Sequence, residues 1–180
     1  MMNGQSDEQK NSPGKDPGAT LDFLEKQLVH DDSEVRWNAV ITLAEIPGSN
    51  ATDLLIRALR DDRFISIRYQ AAVVLGTRGD PDAIGPLAAA LDDPEFRVRE
   101  KAAEALGRID GTRAAESLLA GFEYRKPDVQ RMIIRALIAI GAPAEDPLKR
   151  AHESTDPSLR QAAEEALKDI NATKKLKGMS

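Results

Sequence analysis

Apolar residues return along this chain at steps of three and four, and residues 93–107, DPEFRVREKAAEALG, show the pattern most clearly. Val98, Ala102, Ala105, Leu106 and Ile109 make one apolar stripe, while Glu100, Glu104 and Arg108 mark the opposite side. One dry and one wet face at a period near 3.6 predicts an amphipathic helix. Asp93 is expected to accept bonds from its first free backbone N–H groups, Pro94 to occupy its first position, and Asp110-Gly111 to stop it.

The pair Val98/Leu106 recurs as Val35/Leu43, Ile67/Leu75, Val129/Leu137 and Leu159/Leu167, always eight apart, with 30–32 residues between successive pairs. Turn residues keep the same beat at Pro47-Gly48, Gly79-Asp80-Pro81 and Gly141-Ala142-Pro143. Such a period means stacked hairpins, because one hairpin cannot bury its apolar face alone. The expected fold is all-α, a right-handed α-solenoid (α-α superhelix) of five helical hairpin repeats over residues 19–171. The repeats fall at about 19–47, 51–79, 81–111, 113–142 and 144–171. Residues 1–18 are polar and rich in Gly, Pro, Ser and Asn and read as a disordered tail; residues 172–180, with Lys174, Lys175 and Lys177, read as a frayed end. An additional residue between Leu59 and Ile67 predicts a looser loop there. Five residues past each anchor, Val40, Ala72, Ala103 and Ile134 are apolar but Glu164 is not, so the fifth repeat is expected to cap the stack.

Composition narrows the functional classes. Only 4% of residues are aromatic and alanine is abundant, which suits closely stacked helices better than a sheet. The chain has no cysteine, so disulfides and thiolate metal sites are excluded. No stretch approaches the roughly 20 apolar residues of a membrane span, and a cytoplasmic protein is expected. A formal charge of −5 argues against general binding to phosphate backbones. Neither nucleic acid nor membrane is an expected partner. The two histidines, His30 and His152, belong to repeats at opposite ends and do not suggest a shared metal. Carboxylate pairs such as Asp61-Asp62 and Asp92-Asp93 recur because the repeat recurs, and helix capping accounts for them. There is no glycine-rich phosphate loop and no nucleophile elbow. No catalytic, cofactor-binding or metal-binding residue is assigned, and no cofactor is expected.

The unit D-P-x-x-R-V-R-x-x-A-A-x-A-L-G-x-I, clearest at residues 93–109 and partly repeated at 62–76 and 156–170, resembles the short HEAT-like repeats of the phycobilisome lyases. Such repeats occur in lyase subunits, hydroxylases and adaptors. In HEAT proteins an Asp before the second helix and an Arg near its start form a ladder. Asp62 with Arg68 and Asp93 with Arg99 match that spacing, and Gln130 interrupts it. Arg36, Arg68, Arg99 and Arg160 then read either as an anion-binding row or as bonds to carboxylates and loop carbonyls that fix stacking. The HEAT-like deoxyhypusine hydroxylases hold two irons through several His-Glu pairs, of which this chain has one, His152-Glu153.

The resemblance also implies that the second helices line a concave surface. Two rows then face outward: Trp37, Tyr69, Glu100, Arg131 and Gln161, and Ile41, Val73, Glu104, Arg135 and Glu165. The expected partner-binding residues are Trp37, Ile41, Tyr69, Val73, Glu100, Glu104, Arg131 and Arg135. Their N-terminal part has the composition of a protein-binding hot spot. Self-association through the Trp37/Tyr69 patch, cover by the N-terminal tail, or a helix rotation that packs Trp37 into the first repeat remain open. The expected function is a non-catalytic interaction scaffold or adaptor, not an enzyme, holding a protein or peptide on the concave face. The alternative is an accessory subunit of a lyase-type or other modifying enzyme.

Overall fold

The computed structural model describes residues 17–60, 63–120 and 122–178. Among these there are ten α-helices and no strand: α1 Pro17–Leu28, α2 Ser33–Glu45, α3 Ser49–Arg60, α4 Ile65–Arg78, α5 Ile84–Ala89, α6 Phe96–Leu106, α7 Gly111–Leu119, α8 Pro127–Ile140, α9 Glu145–His152 and α10 Pro157–Leu176. Short 3-10 turns flank α5 at Pro81–Ala83 and Ala90–Asp92, precede α8 at Phe122–Tyr124 and precede α9 at Ala142–Ala144. No helix among the described residues is long and apolar enough to cross a membrane.

The helices form two layers. Each odd helix packs on the even helix that follows it, and the even helices stack in sequence, α2 on α4, α4 on α6, α6 on α8 and α8 on α10. The odd layer is joined through α1 with α3, α5 with α7 and α7 with α9. Leu43, Ile67, Leu75, Val98, Leu106, Val129 and Leu137 lie buried in the core. The outermost anchors Val35, Leu159 and Leu167 are only partly covered. This is an α-solenoid, and the eight-residue pairs are its seam.

Capping follows the sequence at several helices. Asp32, Asp110 and Asp156 each accept a backbone N–H at the start of α2, α7 and α10, from Glu34, Arg113 and Leu159 respectively. Gly79 closes α4 with φ of 67°, a left-handed conformation that glycine adopts without a Cβ penalty.

Around the clearest repeat the boundaries differ from expectation. Helix α6 starts at Phe96, not Pro94. The Asp93 carboxylate does accept the Glu95 N–H at 2.8 Å, but both its oxygens are also held by Arg68, so the Asp-Pro pair belongs to the loop. The helix ends at Leu106, and Asp110-Gly111 opens α7 instead of closing α6. Helix α10 continues past the expected end at Asn171 to Leu176, with Lys174 ion-paired to Glu145 of α9. Val40, Ala72 and Ala103 are buried and Ile134 partly so, whereas Glu164 is exposed. The tail expectation for residues 1–16, and the pairing of Asp62 and the looser loop around it, lie outside the described residues; α1 already begins at Pro17.

Candidate functional site

The arginine row braces the loops within repeats and, at Arg68 and Arg99, also joins one repeat to the next. Arg36 Nη1 donates to the carbonyls of His30 and Asp31, Arg99 Nη1 to those of Asp93 and Pro94, and Arg160 Nη1 to those of Ser154 and Thr155. Each side chain thus ties the start of its helix to the loop five and six residues earlier. In the fourth repeat Gln130 takes over, its Nε2 donating to the Phe122 carbonyl at 3.0 Å. The ladder runs between repeats: Arg68 forks onto Asp93 through Nε (2.7 Å) and Nη2 (3.0 Å), and Arg99 Nη2 reaches Asp128 at 3.0 Å. Arg36 and Arg68 are 1% and 5% exposed, which leaves no accessible row of guanidinium groups for an external anion. The Arg36 guanidinium also lies 3.4 Å from the centroid of the Phe64 ring, fixing that ring at the start of α4.

The ring so fixed forms part of a groove of about 800 Å³ between α2, α4 and α6. Trp37, Phe64, Ile65 and Tyr69 supply its apolar surface, and Arg63, Arg97, Glu100 and Lys101 its charged rim. Trp37 and Tyr69 are partly buried and packed against the core, so they are held in place while one side of each stays open. Further along the even-numbered layer, a smaller depression takes in Tyr69, Val73, Glu104 and Arg108. Another of about 250 Å³ brings Glu100, Glu104 and Arg135 over Phe96 and Met132. A fourth places Arg131 beside Gln161 and Glu165.

Seven of the eight residues singled out from the sequence therefore line this chain of depressions: Trp37, Tyr69, Val73, Glu100, Glu104, Arg131 and Arg135. Ile41 is exposed at 40% but lines none of these four depressions. Lys101 Nζ stands 2.7 Å from Glu104 Oε2, and that hydrogen bond raises the Lys101 pKa above its ordinary value. The pair occupies the middle of the surface.

Sequence reasoning missed Phe64, Ile65, Phe96, Arg97 and Lys101. Ile65 and Phe96, 48% and 49% exposed, occupy the same place, two residues before the anchors Ile67 and Val98. The corresponding residues ahead of Val129 and Leu159 are Pro127 and Pro157. An apolar residue where neighbouring repeats place a helix-starting proline was the available signal.

Comparisons with known proteins agree with this architecture. The family model for HEAT repeats matches residues 52–125, and that for the PBS lyase HEAT-like repeat matches residues 35–61. A deoxyhypusine hydroxylase of Drosophila pseudoobscura pseudoobscura is 31% identical over 147 residues, 76% of this chain and 47% of that protein. The phycocyanobilin lyase subunit alpha of Synechococcus elongatus is 40% identical over 75 residues, 38% of this chain and 28% of that one. The chain thus spans about half or less of the curated relatives it matches. Among solved structures, the complex of CpcE and CpcF of phycocyanin lyase from Nostoc sp. PCC7120 superimposes with a TM-score of 0.56 at 26% identity, over 96% of this chain and 70% of that chain.

These relatives are enzymes or parts of enzymes, and the expectation that the chain is not an enzyme does not stand. His30 follows α1 and His152 ends α9, and no group of three or more His, Cys, Asp or Glu able to hold a metal occurs among the described residues. Fold, sequence period and both family models make the chain a HEAT-like repeat protein.

Proposed function

We propose that the chain is a subunit of a lyase-type modifying enzyme and that it holds a protein partner along its even-numbered helices. The observation that carries this reading is the groove of about 800 Å³ between α2, α4 and α6, where Trp37 and Tyr69 are anchored by the core yet open on one side. Aromatic side chains already fixed in this way lose little freedom on binding, which is the composition and state of a hot spot. Glu100 and Glu104, then Arg131 and Arg135, continue the surface and would set the partner's orientation and register more than its affinity. Similarity to a lyase subunit and to the CpcE–CpcF complex supports the lyase class.

The test is affinity capture from the native host with wild type and the Trp37→Ala/Tyr69→Ala variant, after circular dichroism shows both to be equally helical. The expected result is a partner retained by wild type and lost by the variant, identified by mass spectrometry as a second repeat subunit or as the protein undergoing modification. Equal capture by both proteins would move the binding site away from the groove. A mass that doubles with concentration in sedimentation, and does so only for wild type, would make a second copy of the chain the occupant.

A further inference from the structure

The second and third repeats are clamped at one edge and parted at the other. At the edge where α4 and α6 end, a Cβ added at Gly76 would lie 2.6 Å from Ala105 Cβ, so the two helices are in close contact. At the same edge Thr52 of α3 donates to Asp80 Oδ2 at 2.7 Å, and α3 meets the 3-10 turn Pro81–Ala83. At the edge where α4 and α6 start, two hollows lie between the repeats. One is the aromatic groove, where Lys101 Nζ stands 5.9 Å from the Tyr69 ring centroid, near the outer limit of a cation–π contact. The other, of about 290 Å³, lies between Leu59 and Arg60 at the end of α3 and Pro86 and Ala89 of α5. Elsewhere the odd layer is tied by ion pairs, Glu25 with Arg57 between α1 and α3 and Glu116 with Arg150 between α7 and α9; α5 carries no charged residue to make one with α3.

The Arg68–Asp93 pair spans this open edge. Both residues border the smaller hollow, while Ile65 and Tyr69 from the helix of Arg68 open on the groove. Arg68, on α4, gives Nε and Nη2 to the two carboxylate oxygens of Asp93, in the loop before α6, and the side chains are 6% and 8% exposed. A two-bond fork fixes angle as well as distance. A buried ion pair adds little net stability, because desolvation offsets the attraction, so what this one supplies is geometry. The same carboxylate accepts the Glu95 N–H, and Arg99 of α6 donates to the Asp93 carbonyl, so the loop moves with the start of α6. We infer that the Arg68–Asp93 fork is a latch that sets how far the start of α6 stands from α4, and with it the width of the groove beside Trp37 and Tyr69. Without the fork, α6 pivots about the Gly76–Ala105 contact and the groove widens. The inference goes beyond the reading of what the groove holds, since it concerns what gives the groove its shape.

The chain has no cysteine, so nitroxide labels can be placed in chosen pairs on the full chain. Ser66→Cys with Arg97→Cys spans the groove between exposed sites, and Thr77→Cys with Arg108→Cys, also exposed, spans the clamped edge. Dipolar EPR compares each pair with and without Arg68→Met/Asp93→Asn, which removes both charges together and keeps an acceptor for the Glu95 N–H. The distance across the groove is expected to lengthen by about 1–2 Å, the size of ordinary helix shifts, while that across the clamped edge stays the same. An unchanged distance across the groove overturns the inference and leaves the pair a stacking contact. Lengthening at both edges overturns it as well, since the repeats then part without a pivot. If circular dichroism shows that the double variant has lost helicity, Arg68→Lys, which keeps the charge but not the fork, is measured in its place against the same outcomes.

Discussion

At the scale of single residues, a few buried polar side chains tie the repeats together alongside the apolar core. Thr52 is fully buried, and its hydroxyl donates to Asp80 Oδ2 at 2.7 Å while accepting from Arg78 Nε at 3.3 Å. Arg78 in turn donates to the carbonyls of Leu43, Ile46 and Gly48, closing the end of α2 from the next repeat. The hydroxyl of Thr52, and then the backbone N–H of Asp82, hold the Asp80 carboxyl below its ordinary pKa. A depressed carboxyl pKa contributes stability that is complete above the unfolded value of about 3.9 and is lost as pH falls through the folded value. Thr52→Val removes the donor without a large change of volume. It should lower unfolding free energy by about 1 kcal/mol at neutral pH, a hydrogen bond to a charged group discounted for the partial exposure of Asp80. Urea titrations at pH 7 and near pH 3 check this, since the charged part of the difference should be smaller at the lower pH. None of this network was legible beforehand. Threonine at position 52 reads as an ordinary polar residue, and only folding brings it against Asp80 from the following repeat.

At the scale of the element, α4 and α6 approach each other closely at Gly76. A Cβ added at Gly76 would lie 2.6 Å from Ala105 Cβ and 2.7 Å from its Cα, too near for either helix to ignore. Gly107 holds the same place one repeat on, but there the nearest atom would be 3.4 Å away and the backbone is already helical, with φ of −64°. Gly76→Ala should therefore cost about 1–3 kcal/mol through overpacking, while Gly107→Ala should be neutral or stabilising by up to about 1 kcal/mol through helix propensity. Thermal melts of the two variants side by side check the contrast; equal effects would mean that α4 and α6 are not so tightly apposed. Here the sequence was informative to a definite depth. The spacing of Val98 and Leu106 located the helices and their buried sides, because periodicity is set within one helix. Asp93 was recognisable as a capping residue and Asp110-Gly111 as a helix boundary, but which helix each serves depends on partners from elsewhere: Arg68 claims Asp93, and the Arg113 N–H of the following helix turns Asp110 forward. The groove was half legible for the same reason. Trp37 and Tyr69 follow from helical register, whereas Phe64 and Phe96 sit at the very starts of α4 and α6, as N-cap and first residue, where the apolar period no longer says which side chains are covered.

At the scale of the whole molecule, each repeat touches only its neighbours, so stability should vary along the solenoid. Helices α4 and α6 are flanked on both sides and bury Ile67, Leu75, Val98 and Leu106 at 1% exposure or less. Helix α10 leaves Leu159 and Leu167 partly open and exposes Leu176 at 88%. Two of the three helices that carry the aromatic groove, α4 and α6, are enclosed on both sides, which makes that part of the surface rigid before a partner arrives and lowers the ordering entropy of binding. Hydrogen exchange followed by mass spectrometry should accordingly find α4 and α6 slowest and the last turns of α10 fastest. Leu106→Ala, which empties a fully enclosed site, should cost about 2–5 kcal/mol and speed exchange in α4 and α8 as well as α6. Leu167→Ala should cost less, since its side chain is already partly solvated, and should speed exchange in α8, α9 and α10 alone. If Leu167→Ala instead accelerates exchange uniformly from α2 to α10, the solenoid unfolds as a single cooperative unit. The groove would then owe its rigidity to the whole stack and not to its immediate neighbours.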